Sequence, residues 1–534
     1  MSEKNRIYKA TGLMGIATGL SRVAGLIRDM VIARLFGAGF ATDAFFLAFT
    51  IPNLFRRFFA EGSMSAAFVP IFSEVYHLRG REEARRFASK CWTLLFIVLT
   101  VFTLIGISGS PFLVKMFGAG FASIPGKLGL TDLLNRVMFP YLLFVSLLAL
   151  VTGILNVLDH YFLPSLSPLF LNLAIISSAL ILSPFCDPPV LALALGVLVG
   201  GVVQLAAQLP LLKKKGMLPG FNFDFRDPLV KKTLMLMVPG IAGVAIYQIN
   251  IAVSRLLASF LAEGSVSYLY YAQRLFEFPQ GIFIASLAQA VLPAMSRQSA
   301  VNDLDELKNS LRFSLNLIAV ITIPAAVGLT LCAIPVFSIF FMDRAFDFQD
   351  VRMTAFALVA YAPGLVLVGV SRVLVPVFFA LKDTRTPVVI SFWTLLVSAG
   401  LGLLFMQFWQ HIGLAAAVTL AAGVNSLLLL FALRRKIGPL GGRSLVREIV
   451  PLFPVSAVMG SVVWGLLRLG NWDSQGALGV KGLILFAAVT TGCLVFMAGC
   501  MVCRIEAATQ AVALVKNKML RRGSGTPPTV KGDG

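Results

Sequence analysis

Four arginines stand where an apolar chain has least reason to hold them. Arg22 and Arg28 lie inside the apolar run 11–36, with Asp29 directly after them; Arg56 lies in the run 42–75 and Arg274 in the run 265–295. A charge at the centre of a bilayer costs ~2.5–3.5 kcal/mol even on the most lenient scales. On a helix, Arg22 and Asp29 fall nearly in line, about 10 Å apart along the axis, whereas Arg28 turns well away from Arg22. The stretch "NLFRRFFAEG" adds Arg57 and Glu61 at the i, i+4 spacing that pairs opposite charges. The stretch "YYAQRLFEFPQG" adds Glu277 beside Arg274, ahead of Pro279, a residue that kinks helices. Cations outnumber anions here, and guanidinium groups match phosphate with forked hydrogen bonds. This set suits the binding of an oxygen-rich anion. Arg34, Arg136 and Arg255, nearer the ends of their runs, read instead as snorkelling or structural ties.

The elements that hold these residues follow from composition. Of 534 residues, 58% are hydrophobic and only 13% charged, and mean hydropathy is +0.86. A soluble domain of that size cannot show so little polar surface to water. Apolar runs of membrane-crossing length recur at 11–36, 42–75, 87–114, 132–158, 161–183, 189–212 and 233–261. They continue at 265–295, 313–340, 353–381, 387–409, 412–433, 445–469 and 480–503. The expected fold is an all-α integral membrane protein of about fourteen transmembrane helices. The first run is too long and too polar for a cleaved signal peptide. The run 42–75, about 50 Å as one helix, must tilt, bend near Pro52 or Pro70, or project from the bilayer.

Basic residues set the expected orientation. With the N-terminus inside, the outer loops keep only Lys115, Lys127, Arg344, Arg352, Arg468 and Lys481, so both termini are expected in the cytoplasm. The same asymmetry accounts for the net charge of +20 without nucleic acid, through topology and attraction to anionic membrane lipid.

A shift of 223 residues superimposes Pro70 on Pro293, Pro140 on Pro363 and Pro164 on Pro387, and "AFVPIFS" on "AVLPAMS". The repeat holds six runs, an even number, so both halves share one topology and a substrate site is expected between them. The expected organisation is an N-lobe at 1–230 (helices 1–6) and a C-lobe at 231–440 (helices 7–12). Helices 13–14 at 441–510 and a cytoplasmic tail at 511–534 follow. Position 56 maps onto Pro279 and position 274 onto Ile51, so neither arginine belongs to the shared scaffold.

Other chemistries find little support. Cys500 and Cys503 form a CxxC with no second pair or nearby histidine, which reads as two packing residues on one helix face. No metal site or cofactor is expected. His77, His160 and His411 are read as loop residues with no partner motif for acid–base work, which argues against an enzyme. A drug antiporter would favour a carboxylate-lined pocket, the opposite of this cationic surplus.

The stretch "SRVAGLIRDMVIARLFGAGFATDAFFLAFTIPNLFRRFFAEGSMSAAFVPIFSE" closely resembles the opening of the MurJ (MviN) family, the lipid II flippases of bacterial cell-wall synthesis. "GSVSYLYYAQRLFEFPQGIF" and "DPPVLALALGVLVGGVVQLAAQLPLLKKKGML" resemble that family too. The resemblance covers nearly the whole chain except about the last 20 residues. It implies the fold of the multidrug/oligosaccharidyl-lipid/polysaccharide (MOP) exporter superfamily, two six-helix lobes plus two helices that form a groove for a polyprenyl tail. It also implies a flippase of the bacterial cytoplasmic membrane, moving the undecaprenyl-diphosphate-linked disaccharide-pentapeptide from the inner to the outer leaflet. Its partners are then lipid II, membrane lipids and cell-wall synthesis proteins. The implied substrate-binding residues are Arg22, Arg28, Arg56, Arg274, Ser21 and Ser267, with Asp29, Asp43 and Glu61 as gating or charge partners. Gln273 stands where some members carry an acid, which leaves Glu277 as the charge partner of that helix. Another MOP-superfamily exporter of a lipid-linked oligosaccharide is the alternative.

Overall fold

The computed structural model describes residues 3–59, 63–301 and 303–505. Among them no strand occurs, and the apolar runs fall largely on helix. A segment in lipid has no water to satisfy its backbone, so a helix is the local solution available to it. The helices are α1 Glu3–Phe36, α2 Phe40–Phe59, α3 Ser63–Leu78, α4 Arg81–Ser108, α5 Ser110–Phe117, α6 Lys127–Met138, α7 Tyr141–Val157, α8 Phe162–Ile181 and α9 Leu191–Lys214. They continue as α10 Pro228–Ser259, α11 Ser265–Pro279, α12 Ala285–Ala300, α13 Leu304–Phe340, α14 Phe348–Tyr361 and α15 Gly364–Ala380. The last four are α16 Arg385–Ile437, α17 Gly442–Ile449, α18 Leu452–Leu467 and α19 Leu478–Val502.

Among the described residues, nine helical stretches are long and apolar enough to cross a membrane, or ten if the bent pair α14–α15 counts as one span. The chain is a multi-pass membrane protein. The number of crossings is not read directly from the number of helices. α16 contains two of the apolar runs, parted at Gln410, whose backbone (φ 49°, ψ −129°) leaves the helical region. In the run 42–75, Pro52 lies inside α2 and Pro70 inside α3. After Pro279 the chain passes through a wider π-helical turn, Gln280–Ile284, before α12 begins, a common device for bending a helix.

The chain forms two compact units. The first comprises Met1–Arg274, Phe340–Ala357 and Leu395–Ala417. Its helices approach through small residues: a Cβ added at Gly196 of α9 would lie 2.8 Å from Ile175 Cα of α8, and one at Gly106 of α4 would lie 2.0 Å from the Phe139 ring. Such close approach is how helices associate where lipid supplies no hydrophobic drive. The second unit comprises Leu275–Ile339, Leu358–Thr394 and Val418–Gly534. There Ile323 and Cys332 of α13, Met459 and Val463 of α18, and Phe496 and Cys500 of α19 share one buried cluster. Cys503 is exposed at the end of α19, so only one thiol of the CxxC packs.

Two of the lysines expected in outer loops are buried in protein. Lys127 opens α6 and is fully buried. Lys481, in the first turn of α19, donates to the Ser474 carbonyl and lies 3.5 Å from Ser338 Oγ. His411 is likewise buried, directly after the break in α16, with Nε2 3.1 Å from the Met353 carbonyl oxygen. It is not a loop residue.

Candidate functional site

The arginine of α1 is placed by three elements of the first unit. Arg28 is buried. Its Nε and Nη2 donate to Asp29 Oδ1 at 3.0 and 2.6 Å, its Nη1 donates to Asn172 Oδ1 of α8 at 3.1 Å, and its Nη2 reaches Tyr270 Oη of α11 at 3.0 Å. Asn172 turns its own amide N–H to the Ser21 carbonyl at 3.1 Å, so one side chain holds two turns of α1.

Asp29 has a second oxygen, and it faces α11. Its Oδ2 lies 3.3 Å from Arg274 Nε; the Arg274 side chain is 41% exposed against 2% for Asp29. The Tyr270 ring completes the cluster. It stacks on Phe46 of α2 with centroids 3.8 Å apart, and the guanidinium carbons of Arg255 and Arg274 lie 5.8 and 5.6 Å from its centroid. Arg28 and Arg274 therefore meet at one carboxylate, and Arg255 and Arg274 at one aromatic ring. Cation–π contact moderates the repulsion among them. A partly exposed guanidinium can hydrogen-bond an anion that reaches it.

A second buried cluster joins the start of α2 to the start of α11. Asp43 accepts from Lys127 Nζ at 2.9 Å, from the Gly264 and Ser267 backbone N–H groups at 2.8 and 2.9 Å, and from the Ser267 hydroxyl at 2.7 Å. Lys127 Nζ also sits 4.5 Å from the Phe121 ring centroid. Gly264 has φ +90°, and a Cβ there would come within 2.8 Å of the Tyr268 ring, so only glycine presents its N–H this way. Tyr268 Oη in turn donates to Asp350 Oδ1 at 2.7 Å. Carboxylate, ammonium and backbone amides satisfy one another, as a buried charge requires.

The structure thus brings Arg28, Asp29 and Arg274 together, with the Ser21 backbone beside them, and separately joins Asp43 to Ser267. Arg22 lies partly buried on α1, and Arg56 Nε donates to Asn53 Oδ1 on its own helix at 2.7 Å. Glu277 falls in the second unit, whereas Arg274 closes the first segment of the first. Glu61 lies outside the described residues. Sequence reading missed Asn172, Tyr270 and Lys127, which are ordinary residues until folding brings them to a charge. It set Arg255 aside as a structural tie; its Nη1 does donate to the Val266 carbonyl at 3.2 Å, yet it also joins the cationic face.

The second unit holds an apolar groove of about 680 Å³. It is lined by Val327 and Leu331 of α13, Val366 of α15, and Phe453, Gly460 and Trp464 of α18, among others.

The fold is that of MOP-superfamily transporters. It resembles a solved inward-facing multidrug resistance MATE family transporter of that superfamily (TM-score 0.67, 15% identity, covering 79% of this chain and 95% of the other), a likeness of fold alone. A solved structure described as lipid II flippase MurJ, inward closed conformation, matches more fully (TM-score 0.76, 28% identity, 92% and 98% covered). The family model described as "Lipid II flippase MurJ" matches residues 32–480. A probable lipid II flippase MurJ of Vibrio cholerae is 36% identical over 518 residues, covering 95% of this chain and 98% of the relative. The chain belongs to the MurJ family.

Proposed function

We propose that this protein moves lipid II from the inner to the outer leaflet of the bacterial cytoplasmic membrane. The observation that carries the reading is the cluster in which Arg28 and Arg274 meet at Asp29, and Arg255 and Arg274 at the Tyr270 ring, with Arg274 partly exposed. A diphosphate supplies negative charge and the acceptor oxygens that guanidinium groups match. Arg22 and Arg56, partly buried on α1 and α2, are further ligands for the head group, and Ser21 and Ser267 are small polar contacts. The groove along α13, α15 and α18 takes the polyprenyl tail, which gains nothing from leaving an apolar setting.

The cycle is alternating access. The site opens to the cytoplasm with the termini on that side, binds the diphosphate, closes, and reopens outward. In this cycle Asp43 with Lys127 and Ser267 forms a latch, and Glu61 and Glu277 serve as further charge partners. No bond is made or broken, so the protein acts as a transporter rather than an enzyme. Cell-wall synthesis proteins are its natural neighbours.

The test is made in a strain depleted of its own flippase, expressing this chain at matched membrane levels and reading lipid II exposed on the outer leaflet. Restored exposure by the wild type, abolished by Arg274→Ala, is the expected result. An inserted wild type that restores nothing, or an Arg274→Ala variant as active as wild type, overturns the reading.

A further inference from the structure

The segment between α9 and α10 is built as something more than a connection. Residues 217–227, "MLPGFNFDFRD", lie along the flank of α4. The Gly220 N–H donates to Ser89 Oγ at 3.0 Å, and the Asn222 N–H to Thr93 Oγ1 at 2.8 Å. Phe221 meets Phe96 edge to face at 5.7 Å. Lys90 Nζ then holds Asp224 and Asp227, each at 2.7 Å. The strap is thus fastened at four successive points on one helix.

Its depth follows from α4. Lys90 is the last charged residue of that helix, and Cys91–Ser108 carries no charge at all. Phe96, six residues further on, lies about 9 Å beyond Lys90 along the axis. The strap therefore reaches past the polar boundary of the helix and returns to it at Asp224. At that level Phe221 and Phe223 are 66% and 67% exposed, and Phe225 is 37% exposed. On α4 itself Ile97, Val98 and Val101 continue the apolar surface. Aromatic rings in water at this density are unfavourable, whereas at a membrane boundary they are favoured anchors. Around them Lys213, Lys214, Arg226, Lys231 and Lys232 are exposed, while the two nearby carboxylates are both bonded to Lys90.

We propose that this strap is a docking site for an anionic phospholipid, apart from the transported substrate. Phe221, Phe223 and Phe225 lie against its acyl chains, and Lys213, Lys214 and Arg226 against its phosphate. A basic rim beside an inserted apolar edge is the pattern that selects anionic over neutral headgroups.

The full chain is prepared with p-benzoylphenylalanine replacing Phe223, and separately replacing Phe221, in nanodiscs of mixed phosphatidylethanolamine and phosphatidylglycerol. After irradiation, mass spectrometry identifies the adducts; preparations are compared only where the unfolding temperature matches wild type. Lipid adducts at both positions are expected, with phosphatidylglycerol enriched several-fold over its share of the bilayer. In the Lys213→Gln, Lys214→Gln, Arg226→Gln variant the enrichment falls to that share while lipid labelling persists. Absence of lipid adducts makes the strap a solvated loop and overturns the proposal. Adducts that follow bulk composition in the wild-type background overturn the headgroup selectivity.

Discussion

Asp29 Oδ2 lies 3.3 Å from Arg274 Nε, while Asp29 Oδ1 is already engaged by Arg28 at 2.6 Å. One carboxylate therefore serves a buried arginine and a partly exposed one, and the two arginines should fail differently. Leaving Asp29 buried without Arg28 removes a fully desolvated pair, at a cost of about 3–5 kcal/mol. The Arg274 contact is screened by solvent and carries ~0–1 kcal/mol. Arg28→Ala is expected to lower the unfolding temperature and abolish flipping. Arg274→Ala should abolish flipping with little change in unfolding temperature. Equal destabilisation by both, measured in matched detergent, would show that the pair is structural throughout.

Asn172 offers a test of charge. Asn172→Asp keeps an acceptor for Arg28 but adds a carboxylate beside it and gives up the N–H that meets the Ser21 carbonyl. Binding of a polyprenyl diphosphate is expected to weaken at least about tenfold, roughly 1.4 kcal/mol, and the unfolding temperature to fall because the bond to the Ser21 carbonyl is lost. Titration calorimetry against the diphosphate, with the monophosphate for comparison, reads the effect. Unchanged affinity would remove Asn172 and Arg28 from the binding site.

The Lys127–Asp43 pair calls for a double-mutant cycle. Lys127→Met leaves Asp43 with backbone and hydroxyl donors but no counter-charge, and Asp43→Asn strands a buried ammonium. Each single change is expected to destabilise more than the double change, because the double change leaves no unpaired buried charge. Additive effects in thermal unfolding would mean the two groups do not sense each other.

The groove of the second unit predicts a separation of tail from head. Ala457 of α18 faces it, beside Gly460 and Trp464. Ala457→Phe narrows the groove and should weaken binding of a long-chain polyprenyl diphosphate several-fold. Binding of a short, water-soluble diphosphate should be unaffected. Loss of both would trace the effect to misfolding, and loss of neither would clear the groove of a role.

Asp227 supplies a pH signature. Its partial burial raises its proton affinity, but hydrogen bonds from Lys90 and from the Leu229 N–H outweigh that and hold its pKa below the ordinary value. A carboxylate depressed in the folded state stabilises above its unfolded pKa of about 3.9, and that stability is lost as pH falls through the depressed value. Asparagine still caps α10, so Asp227→Asn isolates the charge. The difference in unfolding temperature between wild type and variant should be constant above about pH 5 and shrink on acidification. A difference that persists at pH 2 would assign it to shape, not charge.

The helical, multi-pass character of the chain was legible in the sequence because a segment in lipid must satisfy its own backbone, so hydropathy and length suffice locally. The cationic surplus was legible for the same reason: Arg22, Arg28, Arg56 and Arg274 are conspicuous in apolar runs whatever the fold around them. The motif resemblance carried the family. The breaks were less visible. Nothing at Gln410 signals the kink it makes inside α16.

Partnership belonged to tertiary structure alone. Asn172, Tyr270 and Lys127 are common residues in common contexts, and their spacing along the chain holds no record of the charge each one meets. An ion pair or hydrogen bond depends on distances of about 3 Å, which packing of α1 with α8 and α11, or of α2 with α6, sets only after the helices exist. The sequence by itself determined that charges would lie in an apolar protein and of which sign; the folded chain decided which carboxylate each arginine faces, because that is a property of helices in contact and not of any helix alone.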